Sequence, residues 1–148
     1  MGWNRDDASG VLRKLTTDRV DFTFAYLPTV SIDPGAAVLG ILFVAAGVFH
    51  FVKPEIYLRV MPRWLPAHRT LVALSGVTEI AAGALLLYGP TRALGAWLIV
   101  AQLVAFFAVH VDMLAHPEGT GRGLPRWALW VRLALQFGLI GWAWAYTG

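Results

Sequence analysis

The sequence predicts an all-α fold: a polytopic membrane four-helix bundle with a Pro-broken interfacial connector between helices 1 and 2. Three observations predict it. Hydrophobic residues make up 57% of the 148 and charged residues 14%, against about 25% charged in a soluble domain. Four apolar runs each approach the ~20 residues needed to cross a bilayer at ~1.5 Å per residue. Between the first two lie residues 50–66, HFVKPEIYLRVMPRWLP, with three prolines. These prolines forbid one continuous helix. Yet Phe51, Val52, Ile56, Leu58, Val60, Met61, Trp64 and Leu65 all favour burial, so this stretch belongs at the membrane surface rather than in a free loop.

In chain order, residues 1–34 form a separate N-terminal arm. Asp6 and Asp7 come early and no apolar core follows them, which is not the pattern of a signal peptide. Asp7 or Ser9 is placed to cap a short amphipathic helix through Asp18, with Val11, Leu12 and Leu15 on one face. The plainest reading is a surface arm, but Phe22, Phe24, Tyr26 and Leu27 are more apolar than a free tail needs, which makes the arm a candidate element for docking on its own bundle or on a partner membrane protein complex. Residues 35–148 form the transmembrane domain. Its spans are predicted at 35–52, 68–88, 92–115 and 127–146.

Tyr88-Gly89-Pro90 is a tight turn, and residues 116–127 read as a flexible connector with Pro125 just before the last helix. Small residues pave the first two spans: Gly40, Ala45, Ala46 and Gly47, then Ser75, Gly76, Ala81, Ala82 and Gly83. They allow close approach of membrane helices.

With four spans both termini share one side. Lys53, Arg59, Arg63, Arg122 and Arg126 lie in or beside the two connectors on the other side. The positive-inside rule then puts those connectors in the cytoplasm and the termini outside. Seven Trp and four Tyr suit interfacial anchors and contacts with lipid. The absence of cysteine excludes thiol redox chemistry and thiolate metal sites by this chain alone. A net charge of +3 with scattered basic residues gives no nucleic-acid footprint.

The segments AGVFHF–KP–YLR–MPRWLP (46–66), LSGVTEIAAG (74–83), Thr91-Arg92, MLAHPE (113–118) and LWVRLALQ (129–136) follow one another in a fixed order and spacing. In these the chain resembles the DoxX-like family of small four-helix bacterial membrane proteins, over about residues 36–147. The resemblance implies a four-span fold in the bacterial inner membrane. It also implies a lean towards redox partners, since some members are associated with thiosulfate–quinone oxidation. Two positions depart from the family pattern: Ala108-Val109-His110 stands where many relatives have Pro-Ala-Asn, and Ala134 where many have Pro.

Ionisable groups inside spans are costly and mark candidate sites. Glu79 lies ten residues past Arg69, about 15 Å along a helix and so near mid-bilayer. Arg132 enters the fourth span from the same side, with Gln136 one turn deeper on the same face. Glu79, Arg132 and Gln136 are therefore expected to form an intramembrane polar network. Its plainest role is a clamp specifying the bundle. His50, His110 and Tyr57 are candidate ligand contacts at the connector side.

No HxxxH or Glu-x-x-His spacing, phosphate loop or nucleophile triad is present, so neither catalytic residues nor metal ligands are assigned. The leading expectation is a non-catalytic accessory or scaffold subunit of a larger membrane complex. The alternatives are a redox component binding a quinone-like lipid and a small-molecule carrier. No cofactor is expected beyond such a bound quinone or lipid.

Overall fold

The computed structural model describes residues 33–148. The expected arm helix and the aromatic stretch at residues 22–27 lie outside the described residues. Among the described residues there are five α-helices and no strand.

Asp33 starts α1 (Pro34–Val52), its carboxylate accepting the Ala36 N–H at 2.9 Å. Pro34 occupies the first helical position, where no N–H is needed. The chain breaks at Lys53, which precedes Pro54, and resumes as α2 (Pro54–Val60). Met61, ahead of Pro62, is extended at φ −68°, ψ 129° and ends α2. Then follow α3 (His68–Leu87), α4 (Arg92–Ala115) and α5 (Arg126–Trp144). A 3-10 turn at Gly89–Thr91 joins α3 to α4, and the Thr91 hydroxyl donates to the Leu85 carbonyl at 2.8 Å. All four long helices fall within two residues of their predicted bounds.

Three helical segments are long and apolar enough to cross a membrane: Pro34–Val52, His68–Leu87 and Gly89–Ala115, with mean hydropathies of 2.2, 1.8 and 2.1. The last helix, α5, is not among them. Arg126, Arg132, Gln136 and its four tryptophans dilute its apolar character.

Only 33%, 33% and 28% of the three apolar windows is buried inside the protein. The core mixes small and large side chains: Ala36, Ala82, Ala96 and Ala143 are at most 1% exposed, beside Leu39, Leu86 and Ile99. Ile41, Val77, Trp130 and Phe137 face outward at 54–63% exposure or more. That distribution inverts the usual soluble pattern and is compatible with a lipid surround.

The seam between α1 and α3 is made of glycine against glycine. A Cβ at Gly47 would sit 2.6 Å from the Gly76 carbonyl oxygen, and one at Gly83 would sit 2.6 Å from that of Gly40. The two crossings lie seven residues apart on each helix, so both fall on one face. Of the predicted small-residue pavement, the glycines touch backbone to backbone, while Ala45 and Ala81 are exposed. Gly95 seats α4 on the backbone of α3 at Ala82 and Leu86. Edge-to-face pairs Trp97–Trp144 and Phe107–Phe137, with centroids 5.1 and 5.0 Å apart, set α5 against α4.

The first and last helices are tied at one end, where the Tyr146 hydroxyl donates to Asp33 Oδ1 at 2.8 Å. The Ala36 N–H and then the Tyr146 hydroxyl hold the Asp33 carboxyl below its ordinary 3.8. The same bond raises the Tyr146 phenol above 10.0. A lowered carboxyl pKa stabilises above the unfolded value and is lost as pH falls through the folded one. A raised phenol pKa is lost as pH rises through it. We therefore expect Tyr146→Phe to lower the melting temperature in detergent at pH 7. The difference from the parent should shrink below pH 3.8 and again above pH 10.0.

At the opposite end the 53–67 connector is docked, not free. The Tyr57 ring stacks on His50 at 3.5 Å between centroids, and its hydroxyl reaches the Ala46 carbonyl at 3.4 Å. Pro62 is fully buried, and its carbonyl accepts from His68 Nε2 at 3.1 Å. The expectation that all the connector's apolar residues are buried is corrected here. Phe51, Val52, Ile56 and Trp64 are 50–64% exposed, because the segment is held mainly at Tyr57 and Pro62, while Leu58, Val60, Met61 and Leu65 are half-buried.

Residues 116–125, read as flexible, form consecutive turns closed on Asp112. Its carboxylate accepts from the Thr120 hydroxyl at 2.8 Å, and the Gly119 and Gly121 N–H groups both donate to the His116 carbonyl.

Candidate functional site

Because α1 packs on α3, α3 on α4 and α4 on α5, the bundle leaves a space between the first and last helices. It forms a cavity of about 420 Å³, bounded by α1, α2, α3, α4 and α5. That lies within the ~300–1,000 Å³ range of small-molecule sites. Most of the wall is apolar, including Leu42, Phe43, Leu103, Phe106 and Leu139. His50, Tyr57, Glu79, His110, Arg132 and Gln136 also line it. All six sequence-predicted site residues therefore meet at one space.

Their pairing differs from the expected network. Glu79 is 4% exposed, and the basic side chain within ion-pair distance of it is His50, with Nδ1 3.2 Å from Oε2. Arg132 is exposed and makes no ion pair among the described residues. Gln136, 4% exposed, turns its amide to the Leu103 carbonyl at 2.6 Å rather than to Glu79.

Two distances around His50 compete. The Nδ1 atom lies 2.9 Å from the Ala46 carbonyl and 3.2 Å from Glu79 Oε2. A carbonyl cannot donate, so Nδ1 carries the hydrogen and aims it at Ala46. This explains why Oε2 is close to a nitrogen yet has no hydrogen-bond donor among the described residues. The ion pair is thus one of proximity rather than of an aligned bond. His110 repeats the arrangement, Nδ1 donating to the Phe106 carbonyl at 2.9 Å. In both rings the tautomer is set by the backbone one turn back, which leaves Nε2 for other partners. Burial raises the Tyr57 phenol above its ordinary 10.0, so it stays a neutral donor.

Residues 39–147 match the family described as Domain of unknown function (DUF8561). The chain belongs to that family. No curated protein and no solved structure matches it. The DUF8561 segment takes in α2 to α5 entire and α1 from Leu39 onward, and with them every residue of the cavity wall named above.

Sequence reasoning missed two features of this DUF8561 domain. The first is the His50–Glu79 contact, whose signal was the glycine seam. With Gly47 opposite Gly76, His50 and Glu79 each lie three residues beyond a crossing, on the same faces. The second is Gln102, whose amide donates to the Ser75 carbonyl at 2.9 Å and ties α4 to α3. Among the described residues no group of three or more His, Cys, Asp or Glu side chains gathers as a metal site.

Proposed function

We propose that the protein is a four-span integral membrane protein of DoxX-like type that binds a small, mostly apolar molecule with one polar end, of quinone-like lipid character. The reading rests on the cavity. Interiors are close-packed, and unfilled space costs stability. A bundle serving only as a scaffold has no use for a 420 Å³ space carrying seven polar side chains, Ser75 among them. The apolar wall suits a hydrocarbon body. His110, with its Nδ1–H given to the Phe106 carbonyl, presents Nε2 as an acceptor for a ligand hydroxyl. The Tyr57 hydroxyl, held only by a 3.4 Å contact, is a donor for a ligand carbonyl.

In this proposal α5 crosses the bacterial inner membrane with the other three. The exposed Lys53, Arg59, Arg63, Arg122 and Arg126 support a cytoplasmic side for both connectors in this reading.

The test is native mass spectrometry after purification in mild detergent, followed by addition of a short-chain benzoquinone. One molecule should be retained per chain. Ala46→Phe, which fills the cavity, should abolish retention, and Val131→Phe, on a residue 47% exposed, should leave it intact. Retention of a protein subunit with no small molecule would favour the accessory-subunit reading. Equal retention by both variants would remove the cavity from the account.

A further inference from the structure

His50 belongs to two spaces at once. Besides the bundle cavity it lines a crevice of about 260 Å³ at the connector surface, formed with Glu55, Leu58, Arg69 and Ala73. Glu79 lines the bundle cavity but not the crevice. The two side chains therefore stand in series, with one ring separating a charged surface crevice from a carboxylate inside the bundle. His50 and Glu79 are both about 5% exposed, so both are shielded from bulk solvent.

We infer that the His50–Glu79 pair is a proton relay between the connector-side crevice and the bundle cavity. This rests on the cavity being a ligand site, and it gives that ligand a chemical class: a molecule with an exchangeable O–H, whose proton passes through the pair.

The geometry carries each step. The Nδ1–H points to the Ala46 carbonyl at 2.9 Å, and an oxygen lacking a donor waits 3.2 Å away. A small rotation of the imidazole moves that hydrogen from one acceptor to the other. When a proton arrives at Nε2 from the crevice, the ring becomes imidazolium. Transfer of the Nδ1 proton to Oε2 then leaves a neutral imidazole and a neutral carboxylic acid, so one proton has crossed the ring and charge is conserved. The carboxylic acid in turn exchanges with a ligand oxygen in the cavity. The reverse sequence exports a proton. The stacked Tyr57 ring from α2 fixes the plane in which the imidazole turns. Glu55 from α2 and Arg69 from α3 face the crevice side, while His110 from α4 and Arg132 from α5 face the cavity side.

The test reads the carboxyl itself and needs no ligand. Infrared difference spectroscopy on the full chain in nanodiscs, washed free of lipophilic ligand, follows the protonated carboxyl band that disappears in Glu79→Gln. After transfer to D2O, the deuterium shift of this band should be at least 10-fold slower in His50→Gln than in the parent. Ala73→Trp plugs the crevice without touching the pair, and it should slow exchange by a similar factor even if His50→Gln does not fold. Exchange at the parental rate in Ala73→Trp, or no Glu79 band between pH 4 and 9, would overturn the relay. If a benzoquinone is still retained in that case, the binding reading survives and only the relay falls.

Discussion

Gly47→Val should separate α1 from α3 and be among the most damaging single changes in the bundle. The first carbon of the new side chain would sit 2.6 Å from the Gly76 carbonyl oxygen and 2.7 Å from Ile80 Cγ1. One obstacle is backbone, which cannot rotate away as a side-chain tip does. Overpacking in a well-packed interior typically costs about 1–3 kcal/mol. A clash with helix backbone belongs at or above the top of that range, because relief requires moving a whole helix. Gly83→Val meets the Gly40 carbonyl at 2.6 Å in the same way and should behave alike. Gly138→Val and Gly141→Val, which meet nothing within 4 Å, should stay within roughly 1 kcal/mol of the parent, as outward-facing changes do. Unfolding in a detergent–denaturant series would read all four. Similar losses for Gly47 and Gly138 would show that the seam does not hold the pair of helices together.

Loss of His50 should be the next most damaging change, and loss of Arg132 among the least. Removing one partner of a buried ion pair strands the other and costs about 3–5 kcal/mol. Sequence reasoning attaches that cost to Arg132. In the structure the residue within ion-pair distance of Glu79 is His50, and both are about 5% exposed. His50→Leu should therefore destabilise by about 3 kcal/mol, and Arg132→Met, on an exposed side chain, by no more than about 0.5 kcal/mol. Adding Glu79→Gln to His50→Leu should restore much of the loss, since a neutral amide is less costly to bury beside an apolar side chain than a carboxylate. A double-mutant cycle followed by thermal unfolding decides this. Additive losses, or a larger effect for Arg132 than for His50, would return the pairing to the arginine.

Most of the helical architecture was legible in the sequence. Span-length apolar runs, Pro54 and Pro62 on either side of α2, and Asp33 with Pro34 at the head of α1 are local signals. They act within one or two turns, so reading the chain in order suffices. The polar residues of the cavity were legible from the sequence as two separate groups, a mid-span network and connector-side contacts, not as one space. Polar residues inside apolar runs have few places to go, and Glu79, Arg132, Gln136, His50, Tyr57 and His110 share one space.

What the sequence by itself could not decide was which of these side chains meet. In the antiparallel seam Gly47 faces Gly76, so His50 and Glu79 are offset by six residues, about 9 Å along the axis. That offset disguises a contact. Side chains on a helix lean towards its own N-terminus, and on antiparallel helices those leanings converge, closing the gap to 3.2 Å. Arg132 has the right depth and charge, but the partner it was matched to is already engaged. Depth and charge follow from position along one chain; contact depends on the register and rotation of two helices, and here a pair of glycine crossings sets both.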